Sequence, residues 1–277
     1  MYSSMLQTAI KEYGRHTKAY REYVNVLKEI SEKNWPGKLE ELAERRKMPV
    51  EVFRKAETFY IGNMAAMVVP EFMGMLTEFG VINSTSNTPI FENRWIFPIK
   101  DSNKNIINLV GYTWNHDVRY LYGTGKYYER SNDMYGAENI DLIYKTGWGV
   151  LVEGITDCLA LRSIGVENSL ASCGTTDSPV KMQILGRTKY GMVFIHDRDE
   201  AGDGTRKHWI VPRAVRLDIA SGQKDIDEYL HKYEDDADRQ SREEELLLRL
   251  DECESWLKGG LCKGDKQHSI IKNMTLV

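Results

Sequence analysis

Two short apolar runs constrain this chain most: Val150, Leu151 and Val152 lead straight into Glu153, and Met192, Val193, Phe194 and Ile195 lead to Asp197. Unbroken apolar runs of this length read as strands of a parallel sheet covered on both faces, and thus as an α/β fold. In such sheets ligands bind beyond the carboxyl ends of the strands, where these acids would project. Glu153 and Asp157 lie in GVLVEGITD, Asp197 and Asp199 in GMVFIHDRD, and a third pair, Asp225 and Asp227, in GQKDIDEYL. Gly154 and Gly202 suit sharp strand-to-helix turns. Asp157 stands one helical turn beyond Glu153, at the start of the helix that DCLALRSIG would form, and so stays near it. Carboxylates repel one another, and gathering several is costly unless a cation neutralises them; ligation by oxygen alone is what Mg2+ prefers. The expectation is a divalent-metal site that handles phosphates.

Singly, an EG pair or a DxD fits a solvated loop or a helix cap equally well. The ordered set carries more: EGITD, NSLASCGTT, HDRDEAG and KDIDEYL resemble, in order and spacing, the Toprim signature shared by DnaG-type primases, topoisomerases and some nucleases. The likeness covers roughly residues 147 to 232, ASCGTT being similar to the family's ALGT strand and loop. Upstream, NRWIFPIKD followed by NLVGYTW resembles the FPI-D-x-x-G-x-(I/V)-x-G-(F/Y) segment of DnaG-type primases. GKYYE resembles their PKYLN, MYGAENI resembles LYG-x-x-x-A, and MPVEVFRKAETFYIG is fainter but similar to the start of their polymerase core. The resemblance is to the catalytic core of a DnaG-type primase, above all to the reduced primases of bacteriophages.

The resemblance implies an N-terminal helical extension over 1–45, a mixed α+β primase subdomain over 46–147, a Toprim domain of parallel sheet and helices over 148–232, and a helical segment over 233–277. It implies synthesis of short RNA primers on a single-stranded DNA template from ribonucleoside triphosphates. Two Mg2+ (or Mn2+) ions would be held mainly by Asp197, Asp199 and Asp227, with Glu153 bound to metal or acting as general base, and Asp157 and Asp225 in support. Arg94, Lys100 and Lys126 would line the groove for nucleic acid. YTWNH stands where the family has Gly-Gly-Arg, which removes an arginine for which Arg119 would compensate. Against the family pattern, a helical segment without cysteine is expected in place of the zinc module, and the helicase-binding domain is expected to be absent or reduced to one helix, so a replicative helicase or a zinc-module protein acting in trans is the expected partner. A Toprim nuclease using the same acids is the alternative reading, and a degenerate, non-enzymatic DNA-binding module a third. The upstream block favours the primase.

Composition narrows little further. A 277-residue chain that is 42% hydrophobic has room for two modest domains, and a net charge of −4 gives no global field attracting nucleic acid. No stretch is long and apolar enough to span a bilayer, and MYSSMLQTAIKEYGRH lacks a signal-peptide core, so no membrane partner and a cytoplasmic location (host cytoplasm if viral) are expected. Cys158, Cys173, Cys253 and Cys262 form no C-x-x-C pair and no zinc is expected. GTGKYY fails as a Walker A loop at Tyr120 and Tyr127, and DRDEAGDG fails as a calcium loop at Ala201 and Trp209.

Helical spacing predicts helices over residues 1 to 35, ended by Pro36 and Gly37, in KLEELAERRK, and in VPEFMGMLTEFGVI up to Gly80. A hairpin turning around Asp101 to Asn105 follows. After Tyr233 a charged linker precedes a helix with Leu246, Leu250, Cys253 and Leu257 on one face, and the tail from Gly259 reads as a basic extension. His196 is expected to pack, with its ring turned away from the face of Asp197. Trp95 and Trp114 are core residues or stacking platforms for bases.

Overall fold

The computed structural model describes residues 2–63, 73–83, 85–86, 88–124, 132–174, 178–197, 211–219, 223–259 and 274–276. The chain divides into two compact units, residues 1–45 with 49–130 and residues 46–48 with 131–277.

The first unit opens with helices α1 (Tyr2–Asn34), α2 (Lys38–Arg46) and α3 (Val50–Lys55), then β1 (Phe59–Ile61) and α4 (Met73–Glu78). Strands β2 (Arg94–Lys100), β3 (Ile106–Tyr112) and β4 (Tyr120–Tyr122) complete an antiparallel sheet ordered β1-β2-β3-β4. The periodic face of α1 supplies buried Tyr20, Val24 and Leu27, which pack with Phe59, Ile61, Phe91, Ile96 and Leu109. Each fully buried side chain of this kind contributes about 1.5–3 kcal/mol. Because strand residues alternate faces, Tyr60, Trp95 and Tyr112 fall on the other side, where the Trp95 indole N–H donates to the Lys38 carbonyl at 2.8 Å. The β2–β3 turn is held by the Asp101 carboxylate, whose Oδ1 accepts from the backbone of Asn103 (2.9 Å) and Asn105 (2.8 Å).

In the second unit a 3-10 turn (Ala137–Asn139) and α5 (Ile140–Thr146) precede β5 (Trp148–Val152), α6 (Ile155–Ser163), β6 (Ser169–Ala171), α7 (Pro179–Leu185), β7 (Gly191–Phe194) and β8 (Ala214–Leu217). α8 (Ile226–His231), α9 (Asp236–Leu257) and β9 (Met274–Leu276) follow. The sheet order is β6-β5-β7-β8-β9, with β6, β5, β7 and β8 parallel. Right-handed crossovers account for the layering: the chain moves one way from β5 to β6 and the other way from β6 to β7, which puts α6 and α7 on opposite faces. Accordingly Leu151, Leu170, Met192 and Phe194 pack with Ile140, Ile143 and Leu185 of α5 and α7, while the alternate residues Val150, Val152 and Val193 are buried on the other side. The carboxyl ends of β5 and β7 are where strand order reverses, the crevice at which open α/β sheets bind ligands.

Two expectations need correction. The charged run after Tyr233 is no linker: α9 begins there, capped by Asp235, whose side chain accepts from Asp238 N, and braced by the i,i+4 pair Arg242–Asp238 at 2.7 Å. Nor is the tail only a basic extension, because Met274–Leu276 pairs antiparallel with β8 and covers what would otherwise be an open sheet edge.

Candidate active site

Glu153 follows β5 directly, and Gly154 then turns the chain into α6. A β-carbon at Gly154 would lie 2.4 Å from Asp157 Oδ2, so a glycine there lets the Asp157 carboxylate fold back beside Glu153. The acidic motifs are joined through backbone N–H groups. Glu153 Oε1 accepts from Asp197 N at 3.2 Å, linking the ends of β5 and β7, and Asp157 Oδ1 accepts from Asp227 N at 3.0 Å, linking α6 to α8. Asp225 caps α8, accepting from Glu228 N at 2.8 Å. Five of the six acids predicted from the sequence, Glu153, Asp157, Asp197, Asp225 and Asp227, are thus brought together; Asp199 lies outside the described residues.

The electrostatics show the strain of that convergence. Burial pushes the Asp157 carboxyl well above the usual carboxylate range, and the nearby charges of Asp225 and Asp197 push it further. Asp225 is also raised, by burial first and then by Asp227 and Glu228 against a lowering hydrogen bond from Glu228 N. Basic side chains lie beside these acids. Arg46 donates to Asp227 Oδ2, His231 Nδ1 lies 3.0 Å from Asp227 Oδ1, and Lys224 Nζ lies 3.5 Å from Asp197 Oδ2. His231 was visible in the sequence as an i+4 partner of Asp227, and Lys224 as the neighbour of Asp225. Arg46, inside the undistinguished run ERRK, gave no such signal.

His196 packs as expected, its ring 6.0 Å from that of Phe194 and nearly parallel. Its direction was not foreseen. The strand ends at Phe194, alternation lapses, and Nδ1 comes within 3.4 Å of Glu153 Oε1, without hydrogen-bond geometry.

Among the described residues no three histidine, cysteine or carboxylate side chains are arranged to hold a metal ion. The donor set nonetheless fits a divalent cation: its oxygens belong to carboxylates, and two of these carboxyls, Asp157 and Asp225, are pushed up by burial and by neighbouring carboxylate charge, which a bound cation would relieve.

Asp157 supplies a prediction. Its raised carboxyl adds to stability below the ordinary carboxylate range, and that contribution is lost as pH rises through the raised value. Asp157→Asn keeps an acceptor for Asp227 N and carries no charge. In metal-free buffer its melting temperature should exceed wild type at pH 7, the gain shrinking toward pH about 4, where an ordinary aspartate begins to protonate. An equal or lower melting temperature at pH 7 would contradict this electrostatic account.

The cations predicted for nucleic acid sit in the first unit. Arg94 is only 4% exposed, and its guanidinium donates to the carbonyls of Val118 (3.0 Å) and Arg119 (3.1 Å), with burial lowering its pKa. Lys100 is buried and paired with Glu57 at 2.5 Å. Arg119 is exposed, and Lys126 lies outside the described residues.

Residues 150–230 match the Toprim-like family. The chain is 29% identical over 152 residues to a DNA primase of Clostridium acetobutylicum, an alignment covering 51% of this chain and 25% of that protein. In structure it is similar to the RNA polymerase domain of Mycobacterium tuberculosis primase DnaG (TM-score 0.66, 19% identity, 94% of each chain). It is also similar to a DnaG primase catalytic domain bound to single-stranded DNA (TM-score 0.68, 18% identity, 85% of this chain and 80% of that one). The fold is thus an α/β one in which residues 150–230 resemble the Toprim-like family. This fold is similar to that of DnaG-type primase catalytic cores, and Toprim and DnaG-type proteins generally use divalent metal ions. The chain spans about a quarter of the curated primase's length. Among the described residues no helix is long and apolar enough to cross a membrane.

Proposed function

We propose that this chain is the catalytic core of a DNA primase, making short RNA primers on single-stranded DNA by metal-dependent nucleotidyl transfer during replication. The observation that carries the reading is the meeting of three acidic motifs where strand order reverses, in a chain with the fold of a DnaG catalytic core. Asp197, Asp199 and Asp227 would hold two Mg2+ or Mn2+ ions, with Asp157 and Asp225 in support. Such ions supply neutralisation of phosphate charge and a lowered pKa for the attacking hydroxyl. Glu153, oriented by the Asp197 N–H, either joins that ligand set or takes the proton of the primer 3′-hydroxyl.

For nucleic acid, Arg119 is exposed and suited to meet phosphate, unlike Arg94 and Lys100, which are buried. Arg94 would act by fixing the carbonyls beside it, and Lys100 through Glu57. Lys126 is retained as a phosphate contact. Ribonucleoside triphosphates are the proposed substrates, with a replicative helicase or a zinc-module protein in trans as partner, in the cytoplasm. Within this reading residues 148–232 are the catalytic domain, preceded by a helical extension over 1–45 and a template-binding subdomain over 46–147 and followed by a C-terminal segment over 233–277.

Pyrophosphate release tests the proposal. Release should require single-stranded DNA, ribonucleoside triphosphates and a divalent ion together; DNA fragments without pyrophosphate would instead identify a nuclease.

A further inference from the structure

Trp114 lies in YTWNH, just beyond β3. One face of its indole stacks on Trp95, with ring centroids 4.1 Å apart, and the Arg45 guanidinium carbon lies 3.9 Å from its ring centre. Tyr112 stands against it at 6.0 Å, and Tyr60 against Trp95 at 4.9 Å. A column of rings therefore runs from the buried sheet to the surface and ends in a guanidinium. Trp95 is core, anchored by its bond to Lys38, and is no platform for a base.

Arg45 and Arg119 differ from the other arginines. Among the described residues Arg21, Arg46, Arg54, Arg94, Arg162, Arg213, Arg216, Arg239, Arg242 and Arg249 each reach a carboxylate or carbonyl, and Arg187 interacts with Tyr144. Arg45 and Arg119 are exposed, and no acceptor among the described residues takes a hydrogen bond from either side chain. Both belong with the segment from Thr113 to Arg119, which is fixed at its base by Thr113 N donating to Arg119 O (2.9 Å) and by Arg94. A guanidinium held over an indole by the cation–π attraction keeps N–H donors free to fork onto a phosphate, and a planar cation can also stack on a base.

We infer that the Arg45–Trp114 pair, with Arg119, is a contact site for single-stranded nucleic acid: Arg45 stacks on a base or clamps its phosphate, and Trp114 holds the guanidinium in place. The inference rests on the primase reading and adds the residues that grip the strand. A purely structural pair would be an exposed cation–π contact of little consequence; two exposed guanidinium groups without acceptors beside one braced loop point to an anionic ligand. An aromatic ring directly beneath the guanidinium favours a single strand, whose bases are accessible, over a duplex or an acidic protein surface.

Binding of the full chain to a fluorescein-labelled oligothymidylate, followed by anisotropy across a salt series without metal or nucleotides, tests this. Arg45→Gln should weaken binding about 5-fold at 0.1 M salt and reduce the salt slope by about 0.7, the value for one phosphate contact on a single strand. Arg45→Lys should restore the slope but not the full affinity, because an ammonium cannot stack as a plane. Arg45 is exposed, so these variants leave the fold intact, which unchanged melting would verify. Wild-type binding by Arg45→Gln, equal competition by a duplex, or preferential binding of an acidic polypeptide such as polyglutamate would each overturn the inference. Strand binding as described in a chain that releases no pyrophosphate would refute the primase reading and leave this contact standing.

Discussion

Asp197→Asn is expected to remove primer synthesis while leaving the fold intact. The Asp197 backbone N–H, which bridges to Glu153 Oε1, is untouched by the change, and the side chain pairs with Lys224 near the surface of the site, not in a core. What is lost is charge. An amide cannot anchor a divalent ion as a carboxylate does, and metal assistance is worth several kcal/mol at the transition state, so a decrease of at least about 10²-fold in rate follows. Stability should hold or rise, since Asp197 is one of the charges that raise Asp157. Steady-state synthesis beside a melting curve separates the two effects. Activity within a few fold of wild type would refute the assignment of Asp197, and a collapsed melting curve would refute the claim that its role is chemical.

The second large effect is on stability. Gly191 opens β7 with φ +137°, a region that side-chain-bearing residues rarely enter, and a β-carbon there would lie 2.0 Å from the Arg213 carbonyl oxygen. That carbonyl accepts from Met192 N at 3.0 Å and so belongs to the pairing between β7 and β8. Gly191→Ala therefore combines backbone strain of about 1–3 kcal/mol with an overpacking cost of similar size, and neither neighbour is a flexible side chain that could yield. A loss of about 3–5 kcal/mol is expected, a fall of roughly 10 °C in melting temperature for a domain of this size. Gly154→Ala makes an informative comparison. Its φ of −100° is open to alanine and the obstacle is the Asp157 side chain, so it should cost activity more than stability. A melting temperature for Gly191→Ala within about 2 °C of wild type, less than 1 kcal/mol would cause, would show that the β7–β8 connection relaxes freely.

How much could be read in advance depended on how locally each feature is encoded. β5 and β7 were legible because a strand buried on both faces must be apolar at every position, as Val150–Val152 and Met192–Phe194 are. The helix α1 was legible from the spacing of Tyr20, Val24 and Leu27, and the hairpin from the turn residues between Asp101 and Asn105. The acids of the candidate site were legible as an ordered set near the ends of such strands, since each pair alone fits a loop or a helix cap equally well. Hidden from the sequence was everything that depends on a distant partner. Nothing local tells that Arg94 turns inward to two carbonyls, that Lys100 is held by Glu57, or that Arg46 reaches Asp227 across 181 positions. The pairing of β9 with β8 was equally invisible, since three residues near the end of a basic tail carry no alternation to read. The start of α9 was misread because high charge suggests a linker unless one counts the i,i+4 pairs that stabilise it.

The most direct test of the central claim uses one gel with both strands visible. The purified chain is incubated with end-labelled single-stranded DNA of mixed sequence, the four ribonucleotides with one carrying a second label, and Mg2+ or Mn2+, with Asp197→Asn alongside. The account predicts short oligoribonucleotides from wild type, none from the variant, and an intact template in both. Cleaved template without oligoribonucleotides would contradict it, turning the same acids into the site of a nuclease.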